Sequence, residues 1–224
     1  MSAVFFRKKI TIILVVVFFF SGLGVFVFAR RRMVEIDVGK DFYFLVDTSS
    51  HVQASTHEVQ LVGGAGYLLQ TQGEVAVAFS VYVSERDATR AKDLLKQTGN
   101  KADIVKLVSG NLYLPRKDKE KMQALKGAFE SLYGNICVLE QEIARLENGA
   151  TQQSSARLLA VLERNLVYLA KEYGKDYAEY ATFCLQTAKA INERRSGIIY
   201  AKDLRYLQCV ACVSYGDLVK NYNL

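Results

Sequence analysis

From Val38 onward the apolar positions first recur at strand spacing and then at helical spacing. Val38–Val46 is aromatic and β-branched and predicts a strand. Asp47 to Ser50 offer N-cap chemistry, and residues 51–62 then place Val52, Val59 and Val62 at helical spacing before Gly63-Gly64 stops the run. Ala65–Gln70 predicts a short strand and Gln72-Gly73 a hairpin turn. In Val75–Val83 the alternation is strict, with Val75, Val77, Phe79, Val81 and Val83 on one face and Ala76, Ala78, Ser80 and Tyr82 on the other. Ser84 with Asp87 opens a helix to Thr98 that buries Ala88, Ala91, Leu94 and Leu95, and Ala102–Val108 predicts a last strand. The order is βαββαβ, which lays four antiparallel strands on two helices, so the bulky face of the sheet is covered and the Ala/Ser face is expected open.

After Pro115 the period changes. Met122, Leu125, Phe129, Leu132, Ile136, Leu139, Ile143 and Leu146 recur in alternating steps of three and four, a heptad seam closed by Asn148-Gly149. Further helical runs follow from Leu159 to Tyr173, from Tyr177 to Ile191 and from Leu204 to Leu218, predicting an antiparallel helical bundle or hairpin whose seams suit packing within one chain or between chains. Before Val38, residues 10–29 (Ile10 to Ala29) form an uncharged apolar stretch of 20 residues between Arg7-Lys8-Lys9 and Arg30-Arg31-Arg32. At about 1.5 Å per residue a helix of that length spans the bilayer core, which predicts a single-pass membrane anchor in contact with lipid. A cleavable signal peptide is the alternative, and the flanking charges do not decide the orientation.

The net charge of +6 belongs wholly to those two triplets, since residues 33–224 carry 23 basic and 23 acidic side chains. No basic surface remains for nucleic acid, which is therefore not an expected partner. Cys209-x-x-Cys212 lies inside an apolar helical run, so packing cysteines are expected there, with a disulfide or metal and redox chemistry as alternatives. Together with Cys137 and Cys184 these thiols point to a reducing compartment. The stripe Tyr173, Tyr177, Tyr180 is expected between helices, and Glu140, Glu142 and Glu147 on a solvated helix face. No nucleophile with its base, paired carboxylates or metal cluster stands out, so neither an enzyme, a cofactor nor a metal site is expected.

The βαββαβ order, the anchor and the stretch Gly73–Leu95 (GEVAVAFSVYVSERDATRAKDLL) resemble the SPOR family of cell-envelope domains. Tyr82, Ser84, Ala88, Leu94 and Leu95 match that family's strand-end aromatic, Ser-x-x-x-Ala helix start and Leu pair. The chain departs from it with Asp47-Thr48 where the family often has Gln and Gly, and with Ser80-Val81 where it has Gly-Pro. The resemblance covers about residues 38–108 and implies a ferredoxin-like SPOR-type domain there; with the anchor and the helical runs the expected fold class is an α+β chain with an N-terminal transmembrane helix, that domain and then the antiparallel helical bundle or hairpin. Its divisions would be a cytoplasmic basic tail (1–9), the transmembrane helix (10–29), a juxtamembrane linker (30–37), the SPOR-like domain (38–110) and the helical region (111–224). It further implies a plasma-membrane protein whose main domains are extracytoplasmic and bind peptidoglycan, as denuded glycan strands, or an envelope partner in cell division, sporulation or wall remodelling. The contact residues it implies are Tyr43, Leu45, Ser80 and Tyr82; the helical region, which resembles no known family, is expected to mediate contacts with a protein partner. The alternative is a membrane-anchored helical adaptor whose βαββαβ domain no longer binds glycan.

Overall fold

The computed structural model describes residues 33–48, 52–71, 74–115 and 119–223. The basic tail, the apolar stretch 10–29, linker residues 30–32 and the Gln72-Gly73 turn lie outside the described residues. The first element is a strand, β1 (Met33–Ile36), in part of the predicted linker. It is followed by β2 (Asp41–Asp47), α1 (Val52–Leu61), β3 (Tyr67–Thr71), β4 (Glu74–Tyr82), α2 (Glu85–Gln97), β5 (Ala102–Val108) and β6 (Leu112–Pro115). Four helices complete the chain: α3 (Lys119–Glu147), α4 (Gln152–Tyr173), α5 (Ala178–Arg195) and α6 (Ala201–Asn221).

The predicted fold class is corrected. Among the described residues the fold is α+β with six helices and two small antiparallel sheets, and no helix is long and apolar enough to cross a membrane. The larger sheet has the order β3-β4-β2-β5, with α1 and α2 as its crossovers. A second ribbon pairs β1 with β6, matching Ile36 to Leu112 and Val34 to Leu114. Polar side chains lock it to the sheet: Gly39 N–H donates to Asn111 Oδ1 at 2.7 Å and Lys40 N–H to Ser109 Oγ at 2.8 Å. Asn223, just past α6, accepts from Tyr113 N–H at 2.8 Å and donates to Asn111 C=O at 2.7 Å, tying the end of the chain to the ribbon.

The helices form no separate bundle. Phe42, Phe44, Ala78 and Val81 of the sheet share one hydrophobic core with Phe129, Leu132, Leu166, Leu207 and Tyr215 of the helices. The cause is α6, which is apolar on two sides. Leu204, Leu207, Ala211 and Leu218 continue the heptad-like seam, while Cys209, Cys212, Tyr215, Gly216 and Val219 bury a further face. A Cβ at Gly216 would lie 3.4 Å from Leu107 Cδ2, an ordinary contact distance, so α6 packs against β5 with room for no more than a small side chain there. Tyr215 donates its hydroxyl to Val38 C=O at 2.7 Å, and its ring packs edge-on against Phe42 and Phe129.

The face expected to be open is therefore covered: α6 lies on β4, and Ala78 is sealed. The strict alternation of Val75–Val83 is broken as well. Leu45 pairs with Ser80 and the next residue, Val46, with Ala78, so Phe79 is an extra residue in β4 without a partner on β2. Val77 and Phe79 pack with Val59 of α1 in a second small core, whereas Val81, beyond the irregularity, joins the helical one.

Candidate functional site

The structure places Leu45 in the core, Ser80 and Tyr82 on a cleft, and Tyr43 beside Lys106 in neither. Register sets Tyr43 opposite Tyr82 and Leu45 opposite Ser80. Leu45 is only 1% exposed and Ser80 3%, so neither presents a surface to a glycan strand. Leu45 packs with Val59, Phe79 and the partly buried Leu95 on the side of α1 and α2. Tyr43 is half-buried, with the Lys106 ammonium 5.6 Å from its ring centre. Ser80 and Tyr82 instead line a cleft of about 570 Å³.

That cleft exists because β3 is short. It pairs with β4 only over Glu74–Ala78, and beyond Ala65 N–H, which donates to Phe79 C=O at 2.7 Å, no described strand continues along that edge of Ser80–Tyr82, whose other edge is paired with β2. The end of β4 becomes the floor of a notch between three helices. On one wall α2 presents Asp87, Arg90 and Leu94; on the other α3 presents Glu140, Ile143 and Glu147; and α6 closes the bottom with Arg205 and Gln208. Leu94, expected in the core, is 55% exposed at the rim, because α2 turns Ala88 inward and leaves the next two turns beside the notch.

The electrostatics of the cleft are uneven. Glu140 accepts a hydrogen bond from Val83 N–H at 3.3 Å, yet burial, reinforced by the nearby Asp87, raises its carboxyl to about 7. Glu147 forms an ion pair with Arg205. Burial also raises the Tyr82 phenol, an effect that the Ser80 hydroxyl and Arg205 partly offset. Three buried polar atoms on its lining residues have no hydrogen-bond partner: Gln208 Nε2, on a residue only 1% exposed, Arg205 Nε and Ser80 Oγ. Buried polar groups are normally satisfied, at a cost of about 1–3 kcal/mol when they are not, so a ligand that meets them gains that much.

The expectation of a solvated acidic face on α3 is corrected by the same geometry. Glu142 is fully buried and bonded to Arg145 at 2.7 Å, and Glu140 is part of the cleft. Cys184, Cys209 and Cys212 are free and buried, and Cys137 is free and half-buried. Burial raises every one of these thiols, that of Cys184 to about 12, which keeps them protonated and poor nucleophiles. Tyr180 packs edge-on against Tyr173 and donates to Ala128 C=O at 2.8 Å between helices. Among the described residues no group of three His, Cys, Asp or Glu is placed to hold a metal ion.

Sequence reasoning missed Glu140, Arg205 and Gln208. The one signal was Gln208 itself, an uncharged polar residue set inside the apolar run LQCVACV, where a buried amide needs a partner. In comparisons with known proteins no family model, no curated protein and no solved structure matches this chain, so the likeness of residues 38–108 to SPOR domains rests on the residues quoted for it.

Proposed function

We propose that this is a non-catalytic binding protein, attached to a membrane through residues 10–29, whose folded body takes its partner in the β4–α2–α3 cleft and not on a sheet face. One observation carries the reading: the sheet is covered on both faces, while the cleft holds the buried Gln208 donor without an acceptor. Attachment confines the protein to two dimensions, and the cleft adds a second, weaker contact; linked in this way, two modest affinities act as a stronger one. The protein then works as an adaptor that concentrates a partner at the membrane.

The test is site-specific photo-crosslinking from the full chain in its membrane. A crosslinker at Leu94, on the rim of the cleft, is expected to capture a partner that one at Val161, exposed on α4, does not. Equal capture from both positions, or none from Leu94, overturns the reading.

A second reading, denuded-glycan binding of the SPOR type in division, sporulation or wall remodelling, is favoured by the strand order β3-β4-β2-β5. It requires the full chain to sediment with denuded glycan strands and to lose that binding on Tyr43→Ala. No sedimentation, or sedimentation unchanged by Tyr43→Ala, sinks it.

A further inference from the structure

The inventory of the cleft points to a particular ligand chemistry, and the step taken here rests on the cleft being the binding site. At its bottom stand two donors without acceptors, Gln208 Nε2 and Arg205 Nε. On its walls stand acceptors: the Glu140 carboxyl, which receives Val83 N–H and has lone pairs for a second donor, beside the Asp87 and Glu147 carboxylates. Between them the lining is apolar: Val81, Ala91, Leu94, Ile143 and Ala144.

Charge narrows the choice. Arg205 is already met by Glu147, so an anionic ligand would bring another negative charge beside Glu140, Glu147 and Asp87 with only the rim residue Arg90 to meet it. A cationic group would face Arg90 and Arg205 as well as the acidic side chains, and an ammonium or guanidinium has no acceptor to offer the Gln208 donor. A neutral group that carries both an acceptor and a donor satisfies the site without adding charge, and the secondary amide is such a group. The cleft's volume of about 570 Å³ falls within the range of ligand sites and exceeds what a single amide fills.

We infer that the cleft is a docking slot for an uncharged, apolar peptide segment of a partner protein, which sets a main-chain carbonyl on Gln208 Nε2 and Arg205 Nε, a main-chain N–H on Glu140, and an apolar side chain against Leu94 and Ile143. Specificity lies in the polar floor. A ligand that cannot supply the acceptor leaves Gln208 unsatisfied and gains only the apolar contact.

The test uses the full chain in detergent micelles, titrated with acetyl-leucyl-alanyl-leucine amide and with its diaspartyl counterpart and followed by NMR. The neutral probe is expected to bind and to shift the Gln208 side-chain amide, and the acidic probe to bind at least ~10-fold more weakly. Gln208→Met keeps the side chain's length and removes the orphaned amide, so the neutral probe should bind at least ~10-fold more weakly to a variant whose melting temperature is unchanged or raised. A purely structural Gln208 would do the reverse, lowering the melting temperature and leaving probe affinity intact. Leu94→Glu, at an exposed position, gives a second variant expected to lose binding without loss of fold.

Equal affinity of the neutral probe for wild type and Gln208→Met, or no binding at up to ~10 mM, overturns the proposal. Binding of acetyl-leucine amide as tight as that of the tripeptide overturns the peptide assignment in favour of a small amide. Silent probes beside a Leu94-specific crosslink refute the ligand class and leave the cleft as the binding site; loss of both refutes both.

Discussion

Replacing Glu140 by glutamine separates the electrostatic cost of placing a carboxyl in the cleft from the hydrogen bond it makes. The structure holds the carboxyl near 7 against an ordinary 4.5, with burial as the main cause and Asp87 adding to it, while the bond from Val83 N–H pulls the other way. An amide oxygen at the same position can still accept from Val83, so the bond survives and only the titration is removed. Below about pH 4.5 the carboxyl is protonated in both the folded and the unfolded chain, and wild type and E140Q should be equally stable. Between about 4.5 and 7 the unfolded chain ionises while the folded one does not, so wild-type stability falls as the pH rises, and the loss is complete above about 7. A difference of this size has a ceiling of roughly 3 kcal/mol at about 1.4 kcal/mol per pH decade, and screening at a cleft open to water reduces it to about 1–2 kcal/mol. Urea unfolding of the full chain at about pH 4.5 and pH 8 reads this directly. E140Q is expected to match wild type at the lower pH and to exceed it by about 1–2 kcal/mol at the higher. A difference between the two proteins that does not change with pH, or a wild type that is the more stable at pH 8, refutes the argument.

Three further outcomes follow from the shared core. A chain ended after Pro115 would expose Phe42, Phe44 and Val81, which the helices cover, so it should show neither a cooperative melt nor dispersed amide resonances; a well-dispersed spectrum from that fragment would mean that the sheet domain stands alone. Tyr215→Phe removes the hydroxyl that satisfies Val38 C=O in the buried junction of ribbon, sheet and α6, and should lower unfolding free energy by about 1–2 kcal/mol, with an unchanged value by urea titration arguing against that bond. In the native protein an aromatic disulfide reagent should modify Cys137 slowly and leave Cys184, Cys209 and Cys212 untouched until denaturant is added, whereas rapid native labelling of two or more thiols would contradict their burial.

Local periodicity carried much of the secondary structure in the sequence. Val75–Val83 reads as a strand because every second residue is large and apolar, and α3 reads as a helix because Leu125, Phe129, Leu132, Ile136 and Leu139 repeat in steps of three and four; both elements are present. Such patterns record which residues seek burial without recording the partner that buries them. Leu204–Leu218 shows one seam, and only in the folded chain does a further side of α6, with Cys209, Cys212, Tyr215 and Val219, prove to be buried in the core shared with the sheet, which no heptad count contains. That contact covers the face a free-standing sheet domain would leave open and joins the sheet and the helices in one hydrophobic core. The irregularity at Phe79 escaped for a related reason: alternation is a property of one strand, whereas an unpaired residue is defined by the register of two. Three of the groups that define the cleft come from distant parts of the chain, Glu140 on α3 and Arg205 and Gln208 on α6, and share no local motif. Their residue types were written in the sequence; their low-dielectric neighbourhood and their missing acceptors arise only where a short β3 leaves the end of β4 uncovered between three helices.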